Sequence, residues 1–245
     1  MILEADLHVH TVASGHAYST VIEIAREARK KGLKMVAITD HGPAMTGAPT
    51  PIYFNNLWVV HPQVEGVEIL RGVEANILEG GALDLEERYL RRLDLVLAGF
   101  HSECLEPGSV EENTRNMIKA LENPYVDMIC HPGNPSFQID PERVVKAAKR
   151  LGKILEINNN SYRVRMGSYE NCLEIARLVA REGVMIAINS DSHFAYDVGE
   201  SDWALSIIKD AGVPEELVLT AKAERVKEYL KQRGKRLGEH TTAVV

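Results

Sequence analysis

Asp6-Leu7-His8-Val9-His10 ends the first apolar run of the chain, and how that run ends decides the fold. Strand side chains alternate between faces, so Asp6, His8 and His10 are expected on one side and Leu7 and Val9 on the other. Two imidazoles on one face at a strand end form a platform for a metal ion, with Asp6 placed to orient one of them. The pattern recurs down the chain. Short apolar runs at 2–9, 34–39, 68–73, 94–99, 126–131, 153–158 and 184–190 read as strands, and each ends in or just before a His, Asp, Glu or Asn. Helical spacing fills the intervals at 19–31, 109–122, 141–151, 168–182 and 201–211, more weakly at 54–65 and 86–92. Gly32 and Gly183 are expected stops, and Ser168 an expected cap. Strand followed by helix, repeated in this way, implies parallel strands joined by right-handed crossovers. No Gly-rich phosphate loop follows the first strand, which argues against an open nucleotide-binding sheet. Polar residues gathered at one end of every strand match the rim of a barrel. The expected fold is α/β, a (β/α)7 TIM-like barrel over residues 1–233 with a frayed tail at 234–245.

Composition limits the function. The 245 residues include 28 Lys+Arg against 35 Asp+Glu, a net charge of -7, with 45% hydrophobic and 26% charged residues. That suits one substantial core and excludes disorder. A negative balance with two Trp and four Phe argues against nucleic-acid binding, which needs a basic surface and stacking platforms. Cys104, Cys130 and Cys172 form no CxxC and are odd in number, which suits a reducing compartment. The opening residues do not resemble a secretory signal, and no apolar run approaches the ~18 residues of a membrane span. A cytoplasmic protein is expected.

The strand ends carry the chemistry. After Asp6-Leu-His8-Val-His10 come Asp40-His41, Glu74-Ala-Asn76, His101, His131-Pro132 and Asp191-Ser-His193, with His16 in the loop Ser14-Gly15-His16. Seven of the nine His thus gather at or near strand ends, apart from His61 and His240. Structural histidines would be scattered. Nine N/O donors (His8, His10, His16, His41, Glu74, His101, His131, Asp191 and His193) exceed what one ion takes, since zinc uses about four. Two or three ions sharing Glu74 would use them all. Imidazole-rich ligation suits zinc, iron, manganese or nickel. Three divalent ions against two carboxylates would leave a pocket near about +4, so an acidic protein can still hold a phosphate dianion.

The ordered set Asp6-Leu-His8-Val-His10-Thr11, Ile38-Thr39-Asp40-His41, Gly72-Val-Glu74-Ala-Asn76, His101, His131-Pro132 and Asp191-Ser-His193 resembles the PHP (polymerase and histidinol phosphatase) family, most closely its stand-alone bacterial phosphatases with a trinuclear zinc site. The resemblance spans nearly the whole chain. It implies a distorted (β/α)7 barrel and phosphoester hydrolysis. It further implies His8, His10, Glu74 and Asp191 around one ion, Glu74, His101 and His131 around a second, and His16, His41 and His193 around a third. Such phosphatases often carry Gly-Glu-Ile/Leu-Asp after the Asn equivalent to Asn76, whereas this chain reads Gly80-Gly81-Ala82-Leu83-Asp84. The Glu is missing, so no role is carried over to this loop.

The expected reaction is hydrolysis of a phosphomonoester by a metal-activated hydroxide, with three divalent ions, Zn2+ first and Mn2+ or Fe2+ as alternatives. Asp6 and Asp40 are expected to support the ligands, and Arg163 and Arg165 to grip a small phosphorylated substrate. Three rivals remain as enzymes: a histidinol phosphatase, a PHP-type nuclease or phosphodiesterase, and an amidohydrolase-type hydrolase. The last would place a modified Lys where His101 stands. A non-enzymatic metal-binding protein would also use the ligands. Substrate choice belongs to the loops 43–56, 102–110 and 159–168, and oligomeric state is not legible.

Overall fold

The computed structural model describes residues 1–235 and Leu237; His240 and the rest of the expected tail lie outside the described residues. Seven parallel strands form the wall: β1 (Ala5–Val9), β2 (Met35–Ile38), β4 (Val67–Asn76), β5 (Leu95–Gly99), β6 (Met128–Ile129), β7 (Ile154–Asn158) and β8 (Ile186–Asn189), neighbours in that order. The two-residue β3 (Gln63–Val64) is a hairpin arm antiparallel to the start of β4. The result is a nearly closed α/β barrel of the TIM-like kind.

Alternation explains its layers. Leu95 and Leu97 of β5 face inward with Leu7, Met35, Leu70, Met128 and Ile154, while Val96 and Ala98 face the surrounding helices. The helices are set by local signals. Thr20 and Glu23 form a capping box for Val21–Lys30, as Ser109 and Glu112 do for Val110–Glu122. Gly183 ends Ser168–Glu182 in the left-handed region, but Gly167 rather than Ser168 is its N-cap. The weak pattern at 54–65 resolves into Pro51–Asn56, a 3-10 turn and β3, and that at 86–92 into Glu87–Leu90. A helix at Ala223–Gln232, not expected from the sequence, inserts Ala223, Val226 and Leu230 into the N-terminal end of the barrel. Its apolar positions are too sparse to stand out from a charged segment.

The seam between β8 and β1 differs along its length. At the C-terminal end of the strands, Val9 bridges Ser192 and His10 N donates to Ser192 O at 2.9 Å. Lower down, side chains replace the ladder: Asn189 Oδ1 accepts Leu7 N at 2.9 Å and Asp6 Oδ1 accepts Ser190 N at 3.1 Å. At the opposite end residues 218–220 wedge in, Val218 bridging Ile186 while Thr220 O accepts Glu4 N at 3.0 Å. The barrel is closed where the polar residues gather and parted where the helix 223–232 plugs it.

Candidate metal centre

The C-terminal strand ends bring the nine expected donors to one place, but not by simple alternation. A register shift between Asp6 and Val9 breaks β1. Ala5 and Leu7 sit in the barrel interior and Val9 packs under the helix Val21–Lys30, yet His8 also reaches inward, to Glu156 and Glu74. The shift therefore puts Asp6 on the side opposite His8 and His10, which corrects the expectation of a shared face. His131 and Asp191 likewise depart from regular strand, with φ of 34° and 52°. Non-glycine residues rarely occupy that region, and such strain tends to be kept where a side chain must be aimed. His131 follows the inward Cys130 and is itself turned inward by this bend.

Glu74 is the hub. Its Oε2 lies 2.7 Å from His41 Nδ1, 3.3 Å from His8 Nε2 and 3.4 Å from His10 Nε2, and its Oε1 lies 2.7 Å from His131 Nε2 and 3.2 Å from His101 Nε2. Asp191 Oδ1 lies 3.3 Å from His10 Nε2 and 3.6 Å from both His8 Nε2 and His193 Nδ1. His16 is exposed, its ring 5.0 Å from His41 and 4.9 Å from His193. Donor atoms close enough to share an ion occur in His8/His10/Asp191, His41/Glu74/His101 and His10/His41/His193. A fourth trio, His8/Glu74/Cys130, includes a thiol not expected from the sequence, with Sγ 3.1 Å from Glu74 Oε1.

The polar atoms here fit a cation. His41 Nδ1, Glu74 Oε2 and His101 Nε2 are buried without a hydrogen bond of acceptable geometry, although the first two are 2.7 Å apart. Each such orphan costs about 1–3 kcal/mol, and a shared positive ion is a partner that imidazole and carboxylate lone pairs can both use. Burial pushes the Glu74 carboxyl upward, but attraction to His8, His101 and His41 outweighs it and holds it well below its ordinary range. Burial also lowers His10, and it lowers His131, with help from Arg165, to about 4, so these rings are neutral donors near pH 7.

A second layer fixes which nitrogen each ring presents. Glu156 Oε1 lies 2.9 Å from His8 Nδ1, Ser14 Oγ lies 3.0 Å from His10 Nδ1, and Asn76 Oδ1 lies 2.7 Å from His101 Nδ1, which leaves each Nε2 facing the carboxylates. Asp40 acts through Ser14, whose hydroxyl donates to it at 2.7 Å, and is held by Thr11 and Tyr53. Asp6 makes no hydrogen bond to an imidazole among the described residues. It accepts Ser190 N and Gly199 N instead and ties the seam. Asp84 accepts Asn76 N at 2.9 Å and Ala44 N at 2.9 Å, so the loop to which no role was carried over does support His101. Two glycines make room. A Cβ on Gly42 would meet Asp84 Oδ1 at 2.3 Å, and one on Gly99 would meet Cys130 Sγ at 2.5 Å and His131 Cε1 at 2.7 Å.

The two arginines separate. Arg165 Nη1 lies 3.2 Å from Asp191 Oδ2 and lines the cavity above the cluster, whereas Arg163 is half exposed and turned to Tyr162 and Asp197. Glu156, Cys130 and Asn158 are the functional candidates that sequence reasoning missed. Glu156 and Asn158 lie at inward positions of β7 and carried that signal.

No helix among the described residues is long and apolar enough to cross a membrane. The chain is 53% identical over 239 residues to a probable phosphatase of Caldanaerobacter subterraneus subsp. tengcongensis, covering 96% of this chain and 94% of that one. It is 52% identical over 233 residues to a probable phosphatase of Acetivibrio thermocellus, covering 95% and 97%. Among solved structures it is similar in fold to histidinol phosphate phosphatase from Lactococcus lactis subsp. lactis complexed with zinc, L-histidinol and phosphate, with TM-score 0.61, 18% identity and coverage of 87% and 95%. The PHP domain model matches residues 6–191, and with relatives of this closeness the chain belongs to the PHP domain family.

Proposed function

We propose that the protein is a metal-dependent phosphatase acting on small phosphate monoesters, with residues 1–233 working as one unit. The observation that carries this reading is the convergence of seven imidazoles with Glu74 and Asp191, several of their buried polar atoms unpartnered: His16, His41, His101, His193 and Asp191 line one cavity and the others lie buried beneath it. His8, His10, Glu74 and Asp191 would hold one ion, Glu74, His101 and His131 a second, and His16, His41 and His193 a third, with Zn2+ favoured by the imidazole-rich set and Mn2+ or Fe2+ as substitutes. Divalent ions, when bound, make water acidic enough to attack near neutral pH and offset charge on the phosphoryl oxygens.

The chain's own groups do the rest. Glu156, Ser14 with Asp40, and Asn76 with Asp84 hold three imidazoles in one tautomer and orientation. Arg165 stands on the cavity wall beside Asp191, where its guanidinium can take phosphoryl oxygens and also keeps the Asp191 carboxylate aimed at His8 and His10. The buried Phe100 supplies apolar wall that limits water on one side of the cluster. Three free cysteines fit a reducing, cytoplasmic setting.

The test is turnover of p-nitrophenyl phosphate against bis-p-nitrophenyl phosphate. The expected result is hydrolysis of the monoester, lost on chelation and restored by Zn2+ or Mn2+. Preference for the diester, or full activity in His10→Ala or Glu74→Ala, would refute the proposal.

A further inference from the structure

The cavity above the cluster, about 610 Å³, has a wall whose charges are unevenly assigned. Beyond the proposed ligands, Arg165 and Glu103 are its only charged lining residues among those described, and no lysine faces it. Arg165 is committed at its Nη1 to Asp191, Asn158 and Ser161. Glu103 is exposed, in the loop that follows His101, where the neighbouring Ser102 hydroxyl donates to it at a long 3.4 Å. As a lining residue of the cavity, it stands beside whatever projects from the phosphate toward the mouth. Val164 and Met166, 61% and 84% exposed, flank that mouth as bare apolar surface.

We infer that the site selects monoesters whose alcohol portion carries no second anionic group, and that Glu103 is the residue enforcing this choice. The inference rests on the phosphatase reading above and deepens it. The positive charge that takes the phosphate dianion lies at the cavity floor with Arg165, whereas a carboxylate or second phosphate on the alcohol would project toward Glu103, where no further lysine or arginine lines the wall among the described residues. Two unit charges about 6 Å apart in water repel enough to shift binding roughly threefold, more where the wall excludes solvent. The penalty falls on substrate binding rather than on turnover, so a Michaelis constant reads it.

A matched pair of substrates tests this: glycerol 3-phosphate and 3-phosphoglycerate share the phosphorylated primary carbon and differ by a terminal carboxylate. With the Zn2+-loaded full chain, the expected kcat/KM ratio favours glycerol 3-phosphate at least threefold, and the ratio shrinks as ionic strength rises. Glu103→Lys is expected to lower the ratio at least threefold by tightening binding of the carboxylated substrate, with kcat little changed. Glu106→Lys, in the same loop but off the cavity wall, is expected to leave the ratio unchanged. A wild-type ratio near one, or a ratio that moves no more in Glu103→Lys than in Glu106→Lys, overturns the inference while leaving the phosphatase reading intact. Failure of the metal-loaded protein to hydrolyse p-nitrophenyl phosphate or either matched substrate would overturn both.

Discussion

Replacing Glu156 by Gln probes the support of the cluster without changing its volume. Glu156 is fully buried and each oxygen serves two partners: Oε1 faces His8 Nδ1 at 2.9 Å and Asn189 Nδ2 at 2.8 Å, and Oε2 faces His131 N at 2.7 Å and Asn158 Nδ2 at 3.1 Å. Burial raises its carboxyl, but His8 and then His131 and Asn189 more than offset that and hold it below its ordinary range, so it is an anion at neutral pH. A glutamine amide keeps one acceptor and turns the other into a donor. Whichever way it is placed, a buried NH2 then faces two other donors, or forces His8 into the opposite tautomer with its Nε2 no longer a lone pair. At about 1–3 kcal/mol for each unmatched buried group, the metal-free variant should lose about 2–5 kcal/mol of stability. Loss of a carboxylate behind a ligating imidazole should weaken metal binding about 10–100-fold. Denaturant unfolding of the metal-free protein reads the first quantity, and competition for Zn2+ with a chromophoric chelator reads the second. A Glu156→Gln protein with wild-type Zn2+ affinity would refute the assigned role, whatever its stability.

Gly99→Ala should clash with Cys130 and His131, costing about 1–3 kcal/mol from overpacking and displacing His131; bound metal per chain is the readout, and adding Cys130→Ala should recover part of it. Glu4 accepts from Lys34 at 2.9 Å and from Ala223 N at 3.1 Å, and these bonds lower its carboxyl from 4.5 to about 2. A depressed pKa gives stability that is present above about pH 4.5 and lost as pH falls toward 2. Because the Lys34 and Lys222 side chains are 64% and 53% exposed, screening limits the gain to about 1 kcal/mol. Glu4→Gln should therefore unfold more easily than wild type at pH 7 in denaturant, with the gap narrowing below about pH 4.5 and closing toward about pH 2; a constant gap would contradict the assignment. Chelation of the metal-loaded protein should lower Tm by several degrees, since any ligand binding only the folded state stabilises it, and equal melting with and without chelator would show that no ion is held.

The barrel was legible because its signals are local. Val, Ile and Leu runs mark the strands, helical spacing with Gly183 as a stop marks the helices, and polar residues after every run mark the rim. What escaped was whatever depends on non-repetitive backbone. Period-two reasoning put Asp6 beside His8, and the register shift in β1 undid it. The left-handed turns at His131 and Asp191 have no sequence mark, because neither residue is a glycine. Glu156 carried the signal of an inward position in its strand, but its role depends on partners 148 and 25 residues away.

Position along the seam connects these details to stability. Among the described residues, backbone pairing across the seam between β8 and β1 is confined to Val9 with Ser192 and the adjoining His10 N bond, and elsewhere Asn189, Asp6 and Thr220 substitute for it. The proposed donors His8 and His10 stand on one side of the paired end of that seam and Asp191 and His193 on the other. An ion held by His8, His10 and Asp191 would join the first and last strands of the wall, a closure of long sequence separation whose entropy cost grows with the length of the loop closed. The proposed metal centre thus sits at the end of the seam that backbone pairing already closes, so the cation that the reaction needs would reinforce the closure that positions it.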